Sequence, residues 1–207
     1  MIGANGAPQY NDRRALSVPF VRQSATGRSG TKGKIRVSAV LRRATDDDRD
    51  VILQWRNHPQ VRRSSLTTHL IGQAEHEAWW DAVRDDPDRL VLIYTRHGRS
   101  AGVVTFTGID RAAGSATWGF YLDVDGLHER NDLLPAWIEL EREVIGYAFD
   151  TLGLERIGGE TFADNAQVLQ LHRRFGFEET DRYQREIDGV ARDVVYTELR
   201  AAARSGR

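Results

Sequence analysis

The 207-residue chain has no cysteine, a single methionine, five prolines, and only two lysines against 27 arginines. Without cysteine there is no disulfide framework, no CxxC zinc site, no redox dithiol and no thiol nucleophile. No apolar run approaches the roughly 18 residues of a spanning helix, so no membrane partner is expected. The net charge of −1 lacks the basic excess of a general nucleic-acid binder. A GxGxxG fingerprint is missing, which disfavours a dinucleotide fold. His69, His76 and Glu77 lie close together without HExxH spacing, so no metal is expected. The stretch Ala15 to Val21 is short for a secretory core and is broken by Pro19, so the expected location is cytoplasmic.

Charge is unevenly spread. Residues 1–34 carry +5 and the remainder −6. The first 34 residues are rich in Gly, Ser, Ala, Asn and Gln without sustained periodicity, and read as a disordered basic tail, an anchoring arm or an overcalled start. The domain is expected over 35–200, with a flexible C-terminus at 201–207.

From Ile35 the periodicities alternate. Ile35 to Arg43 reads as a strand. Thr45 then caps a helix with Asp46, Asp47 and Asp48 in its first turn, which carries Val51, Ile52 and a core Trp55 before His58-Pro59. Gln73 to Asp85 is a second helix, with Trp79 and Trp80. Three strands follow at Arg89–Thr95, Ser100–Ile109 and Ser115–Leu122, joined by short glycine-bearing turns that imply antiparallel hairpins. After a polar loop, Pro135 opens a long helix ending at Gly153. Arg156–Phe162 is a strand, Asn165–Phe175 a helix, and Phe177–Glu186 pairs with Asp193–Leu199 through Asp188-Gly189. The expected fold is a mixed α/β (α+β) domain with a mostly antiparallel sheet. Gly98-Arg99-Ser100-Ala101-Gly102 fits GxSxG, but strand follows strand there, so it reads as a hairpin and not as a nucleophile elbow.

Two segments carry chemistry. One is Trp118-Gly119-Phe120-Tyr121-Leu122-Asp123. The other is Glu160-Thr161-Phe162-Ala163-Asp164-Asn165, continuing to His172, Gly176 and Phe177. With the element order, these resemble the GNAT superfamily of N-acetyltransferases over about residues 35–200. The pattern N-x6-[YH]-x3-G-F falls at Asn165, His172, Gly176 and Phe177. The run Trp55-Arg56-Asn57-His58-Pro59-Gln60-Val61-Arg62 is similar to ribosomal-protein N-acetyltransferases. With Glu75-His76 and Phe106-x2-Ile109-Asp110, it is also similar to the nucleotide-amino-sugar N-acetyltransferases of pseudaminic acid synthesis.

The resemblance implies a seven-stranded sheet flanked by about four helices and acetyl-CoA as co-substrate. Its pantetheine would lie in a gap between the strand of Tyr121-Leu122 and the strand 156–162. Glu160, facing the gap, is the candidate base or relay, and a salt-bridged sheet-edge carboxylate is its alternative. The backbone N–H near Leu122 would hold the oxyanion. His172 stands where the family usually has a tyrosine and would protonate the thiolate; its alternative is packing between helix and sheet. Tyr121, Leu122, Arg130 and Asn165 are the expected donor-binding residues, and Asn165 also suits an N-cap. Arg56, Arg62 and His76 are the expected acceptor-binding set.

The diphosphate loop departs from the family's R/Q-x-x-G-x-G/A. Pro135 and Trp137 stand at the glycine positions, Asp123, Asp125, Glu129 and Asp132 would repel phosphates, and Arg130 and His128 are left to compensate. The function expected is N-acetyl transfer to a primary amine of a small metabolite, first a nucleotide-linked amino sugar. A protein N-terminus, a carrier-bound donor and a non-catalytic binding domain stay open. Exposed sheet edges leave homodimerisation open.

Overall fold

A computed structural model describes residues 40–204. The calls on residues 1–34, and on the strand before Val40, lie outside them. The strands are β1 (Leu41–Arg43), β2 (Leu90–Arg96), β3 (Arg99–Asp110), β4 (Ser115–Leu122), β5 (Arg156–Phe162), β6 (Glu178–Ile187) and β7 (Val190–Arg200). They form one sheet in the order β1-β2-β3-β4-β5-β7-β6. Every pair is antiparallel except β4 with β5. Four helices have eight residues or more: α1 (Arg49–Arg56), α3 (Gln73–Val83), α5 (Leu133–Gly146) and α6 (Ala166–Phe175). Three shorter ones are α2 (Pro59–Arg63), α4 (Val124–Glu129) and α7 (Ala201–Arg204).

Local chemistry explains the turns. His97-Gly98 and Asp188-Gly189 both have positive φ at two successive residues, the twist that a tight hairpin needs. The GxSxG stretch therefore runs from a turn into β3, as a hairpin. Thr45 donates through its N–H and its hydroxyl to Asp48, whose carboxylate also takes a two-pronged contact from Arg42 at 2.7 Å. That guanidinium holds Asp48 below the usual carboxylate range.

Two segments that read as loops contain short helices. Pro59 opens α2 behind His58, whose Nδ1 accepts the Gln60 N–H at 3.3 Å. Asp123 caps α4 by accepting the Gly126 N–H at 3.1 Å. Helix α5 begins at Leu133, two residues ahead of Pro135. A proline fits there because the first-turn N–H groups of a helix have no intrahelical acceptor.

The sheet buries both faces. On one, Leu92, Val104, Phe106, Trp118, Ile157 and Leu199 pack with Ala136, Leu140 and Val144 of α5. On the other, Val91, Ile93 and Val103 pack with Ile52, Trp55, Trp80 and Val83 of α1 and α3. Each such large apolar side chain contributes about 1.5–3 kcal/mol on burial. A satellite cluster of Phe162, Ile187 and Val194 is covered by Leu66, which draws the segment between α2 and α3 over the same face as α1. The outer strand β6 carries Glu178, Glu179, Asp181, Arg182, Arg185 and Glu186, a density of charge that discourages edge-to-edge pairing.

Candidate active site

The parallel pair β4–β5 is short. Ser115, Ala116 and Thr117 pair with Arg156, Ile157 and Gly158, and the pairing stops there although both strands continue. Backbone directions alternate along a strand. The Asp123 N–H donates to Ala101 O on the β3 side, and the Gly119 carbonyl accepts from Thr105, also on β3. The Trp118 carbonyl points the other way, 2.8 Å from where a Cβ on Gly159 would stand. By alternation, Trp118, Phe120 and Leu122 turn their N–H and C=O groups toward β5, and beyond Trp118 no strand meets them. This is the expected gap, with its apex at Trp118 and Gly159. A side chain at position 159 would close it.

On the α1 side of the sheet, Glu160 accepts from the Tyr183 hydroxyl and from Arg185 at 2.9 and 3.2 Å. It stands two residues before the end of β5 and not at its tip, and its carboxylate is engaged by β6, as in the salt-bridged alternative. The segment between α1 and α3 borders this group. The Asn57 side-chain amide donates to Ile71 O and accepts from Ile71 N, both at 2.9 Å. Arg56 donates to Thr67 O at 2.8 Å, and the Thr68 hydroxyl bonds Asp188. Arg62, on α2, has its Nε buried without a hydrogen-bond partner, and among the described residues it makes no ion pair. Beside the end of β4, a cleft of about 610 Å³ lies between α2 and α4, lined by His58, Gln60, Arg63, Asp125, His128 and Glu129.

His76 does not join Arg56 and Arg62. It is buried, its Nε2 lies 2.8 Å from Arg49 O, and its ring stacks on Trp79. It thus ties α3 to the start of α1, whereas Arg56 is at the end of that helix. Desolvation lowers its pKa, so it is a neutral packing group.

On the α5–α6 side, Asn165 caps α6, accepting the Val168 N–H at 3.4 Å. His172 is buried, stacked on Phe177 and tilted against Trp118. Its Nδ1 lies 2.8 Å from Thr197 Oγ1 and its Nε2 3.5 Å from Glu141 Oε1. Glu141 was missed by sequence reasoning. Its signal was there: it stands four residues after Trp137 and four before Ile145, on the stripe of α5 that packs against the sheet. It is fully buried, and neither carboxyl oxygen has a hydrogen-bond partner. Burial alone pushes its pKa up to about 8 and that of His172 down to about 4, so both groups are uncharged at neutral pH.

The gap fits a pantetheine arm, whose amides match the bare backbone edge of Phe120 and Leu122. The family's diphosphate cradle is altered. At the N-terminus of α5, Asp132 is clasped by Arg96 at 2.6 and 2.8 Å, and Arg96 also contacts Glu139 at 2.5 Å, which accepts from Tyr94. Two carboxylates therefore flank that terminus, Pro135 offers no N–H, and Trp137 packs on Phe120. Arg130 is engaged only loosely, 3.8 Å from Asp123, and is the cation of this loop that remains for phosphates.

Comparison with known proteins agrees with this geometry. The acetyltransferase (GNAT) domain family matches residues 39–178. Acetyltransferase PseH of Campylobacter jejuni is 25% identical over 128 residues, 62% of this chain and 75% of that protein. The L-amino acid N-acetyltransferase AaaT of Escherichia coli is 26% identical over 139 residues, 67% of this chain and 82% of its own. In fold, the chain is similar to spermidine N-acetyltransferase from Vibrio cholerae in complex with CoA and spermine. The TM-score is 0.67 at 18% identity, covering 79% of this chain and 95% of that one. The chain belongs to the GNAT acetyltransferase family and is an N-acetyltransferase with acetyl-CoA as its acyl donor.

Proposed function

We propose that the acceptor is a primary amine on an anionic small molecule, a nucleotide-linked amino sugar being the first candidate. The observation that carries this is the composition of the segment over the acceptor side. Residues 57–72 contain Arg62 and Arg63 and no acid, while His58 and His69 lie beside Asp125 and Glu75 from outside the segment. Among the described residues Arg62 makes no ion pair and its Nε has no hydrogen-bond partner, an arrangement that suits a phosphate. A polyamine would meet the two arginines there, although Asp125 and Glu129 line the neighbouring cleft. The resemblance to PseH at 25% identity supports the same direction.

The chemistry follows from residue placement. An alkylammonium has a pKa near ~10 and must lose a proton before it attacks. Glu160, held by Tyr183 and Arg185, takes that proton through water on the acceptor side. The N–H groups of Phe120 and Leu122 stabilise the oxyanion at the gap. His172 serves the departing sulfur from the opposite side of the sheet, through Thr197. Acetyl-CoA supplies the activated acyl group, and Tyr121, Leu122, Arg130 and Asn165 border its course.

The test is thiol release by the full-length enzyme with acetyl-CoA and a panel of amines. The panel holds a uridine-diphosphate-linked amino sugar, spermidine, free amino acids and a peptide with a free N-terminus. Turnover at least tenfold more efficient with the nucleotide-linked amine is expected. Preference for spermidine or for the peptide overturns the acceptor reading.

A further inference from the structure

We propose that Glu141, His172 and Thr197 form a buried proton relay under the split between β4 and β5, in which Glu141 stores the proton that the departing thiolate receives. The inference rests on the acyl-transfer reading above and adds a positioning residue, Glu141, that acts through His172.

Four observations converge on it. Among the described residues, the buried side-chain atoms without hydrogen-bond partners include Glu141 Oε1 and Oε2, His172 Nε2, Trp118 Nε1 and Trp137 Nε1. These belong to side chains that adjoin one another. Trp137 and Glu141 are one turn apart on α5, His172 faces Glu141, and Trp118 lies against His172. Unpaired buried polar atoms are rare and call for a ligand, a water or a reaction to explain them. Next, Thr197 stands opposite Gly159 in the β5–β7 register, and Gly159 has no side chain to separate it from the apex. The order of contacts also suits proton passage. Glu141 Oε1 stands 3.5 Å from His172 Nε2, and in the tautomer with its proton on Nδ1 the ring donates to Thr197 Oγ1, leaving the threonine hydroxyl proton available to the gap. Finally, His172 of α6 stands against Glu141, and burial of the Glu141 carboxyl keeps its proton on at neutral pH.

The proton count balances. As the C–S bond breaks, its electron pair stays on sulfur. An S–H bond forms with the proton of the Thr197 hydroxyl, which is replaced from His172 Nδ1, while Glu141 gives its proton to Nε2. Glu141 is left as a carboxylate and His172 with its proton on Nε2. The amine sheds two protons to water through Glu160, one before attack and one as the amide forms; one stays in solution, and the other re-enters through Thr197 to Nδ1 while Nε2 returns its proton to the buried Glu141. A carboxylic acid titrating near the ordinary thiol value of about 8.5 makes this transfer close to even. An ordinary glutamate would have lost its proton at neutral pH.

The test has two readouts. In the full chain labelled with carboxyl-13C glutamate, one resonance is expected to titrate far above the others and to vanish in Glu141→Gln. Its titration in the ordinary carboxylate range overturns the inference. In steady state with acetyl-CoA, Glu141→Gln and Thr197→Val are expected to lower kcat about 10–100-fold, with KM for the amine unchanged and the alkaline limb of the kcat profile displaced. Glu141→Asp should restore part of the rate. A wild-type kcat and pH profile in Glu141→Gln, alongside a slow His172→Ala, overturns the relay and spares the role of His172. An unchanged His172→Ala overturns that role itself.

Discussion

Replacing Glu141 by glutamine should change the stability of the protein in a manner set by pH alone. The carboxyl is fully buried, so screening by solvent is small. Its folded pKa is raised to about 8 from an unfolded value of 4.5. Between those values the unfolded chain releases the proton and the folded chain keeps it, so stability falls as pH rises. The slope is about 1.4 kcal/mol per pH unit, about 3 kcal/mol in total by pH 7 and about 5 by pH 8. His172 acts in the opposite sense. Its folded pKa is lowered to about 4, so below 6.5 the unfolded chain gains a proton that the folded chain refuses, and stability falls as pH drops. From 4.5 to 6.5 the two slopes cancel in the wild type. Glutamine keeps the shape and the neutral polarity of the buried acid and removes one slope. Urea unfolding of both proteins at pH 5, 6, 7 and 8 is the assay. The variant should become progressively more stable than the wild type, by about 3 kcal/mol at pH 7. Parallel stability curves would refute the claim that this acid is buried and protonated.

Other expectations follow from the remaining contacts. Arg62→Ala should raise KM for an anionic acceptor about tenfold with kcat unchanged, and the wild-type KM should rise with salt, both measurable by initial rates. Arg96→Met leaves Asp132 and Glu139 without their shared cation, and should lower the urea midpoint, by less at high salt. Because two carboxylates flank the start of α5, acetyl-pantetheine should bind within about tenfold of acetyl-CoA by calorimetry, and Arg130→Ala should narrow that difference further. A much tighter grip on the nucleotide half would show that the loop cradles the diphosphate after all. Gly159→Ala should weaken donor binding and also lower the urea midpoint, because a Cβ there stands 2.8 Å from the Trp118 backbone carbonyl at the apex and one of the two strands must shift.

Much of the fold was legible because strand alternation and turn chemistry are local. β4 and β5 have the expected bounds, and His97-Gly98 and Asp188-Gly189 form the expected turns. The short helices α2 and α4 escaped because five or six residues show no period; their caps, His58 and Asp123, were the only cues. The site was less legible. Arg56 and Arg62 belong to neighbouring helices, but His76 is turned inward by the packing of α3 on α1, which helical spacing alone does not reveal. Glu160 reads in one dimension as either a base or a salt-bridged edge carboxylate, and its partners Arg185 and Tyr183 emerge only through the sheet register. Glu141 was hidden by its charge: an acid in a long amphipathic helix is ordinarily assigned to the wet face, and its place four residues from Trp137 and Ile145 was the contrary sign.

The clamp between Asn57 and Ile71 has a consequence for how such an enzyme diversifies. Two hydrogen bonds from one side-chain amide fasten both ends of the acceptor segment, so the residues between them hang from a fixed frame. Within that frame Leu66 packs on Phe162 of β5 and Val194 of β7 and Thr68 bonds Asp188, so changes there reach the sheet, whereas Arg62 and Arg63 make no such contact among the described residues. On the proposed acceptor reading, a change of customer for the acyl group would be met by new residues inside that clasp, with the split strands left as they are.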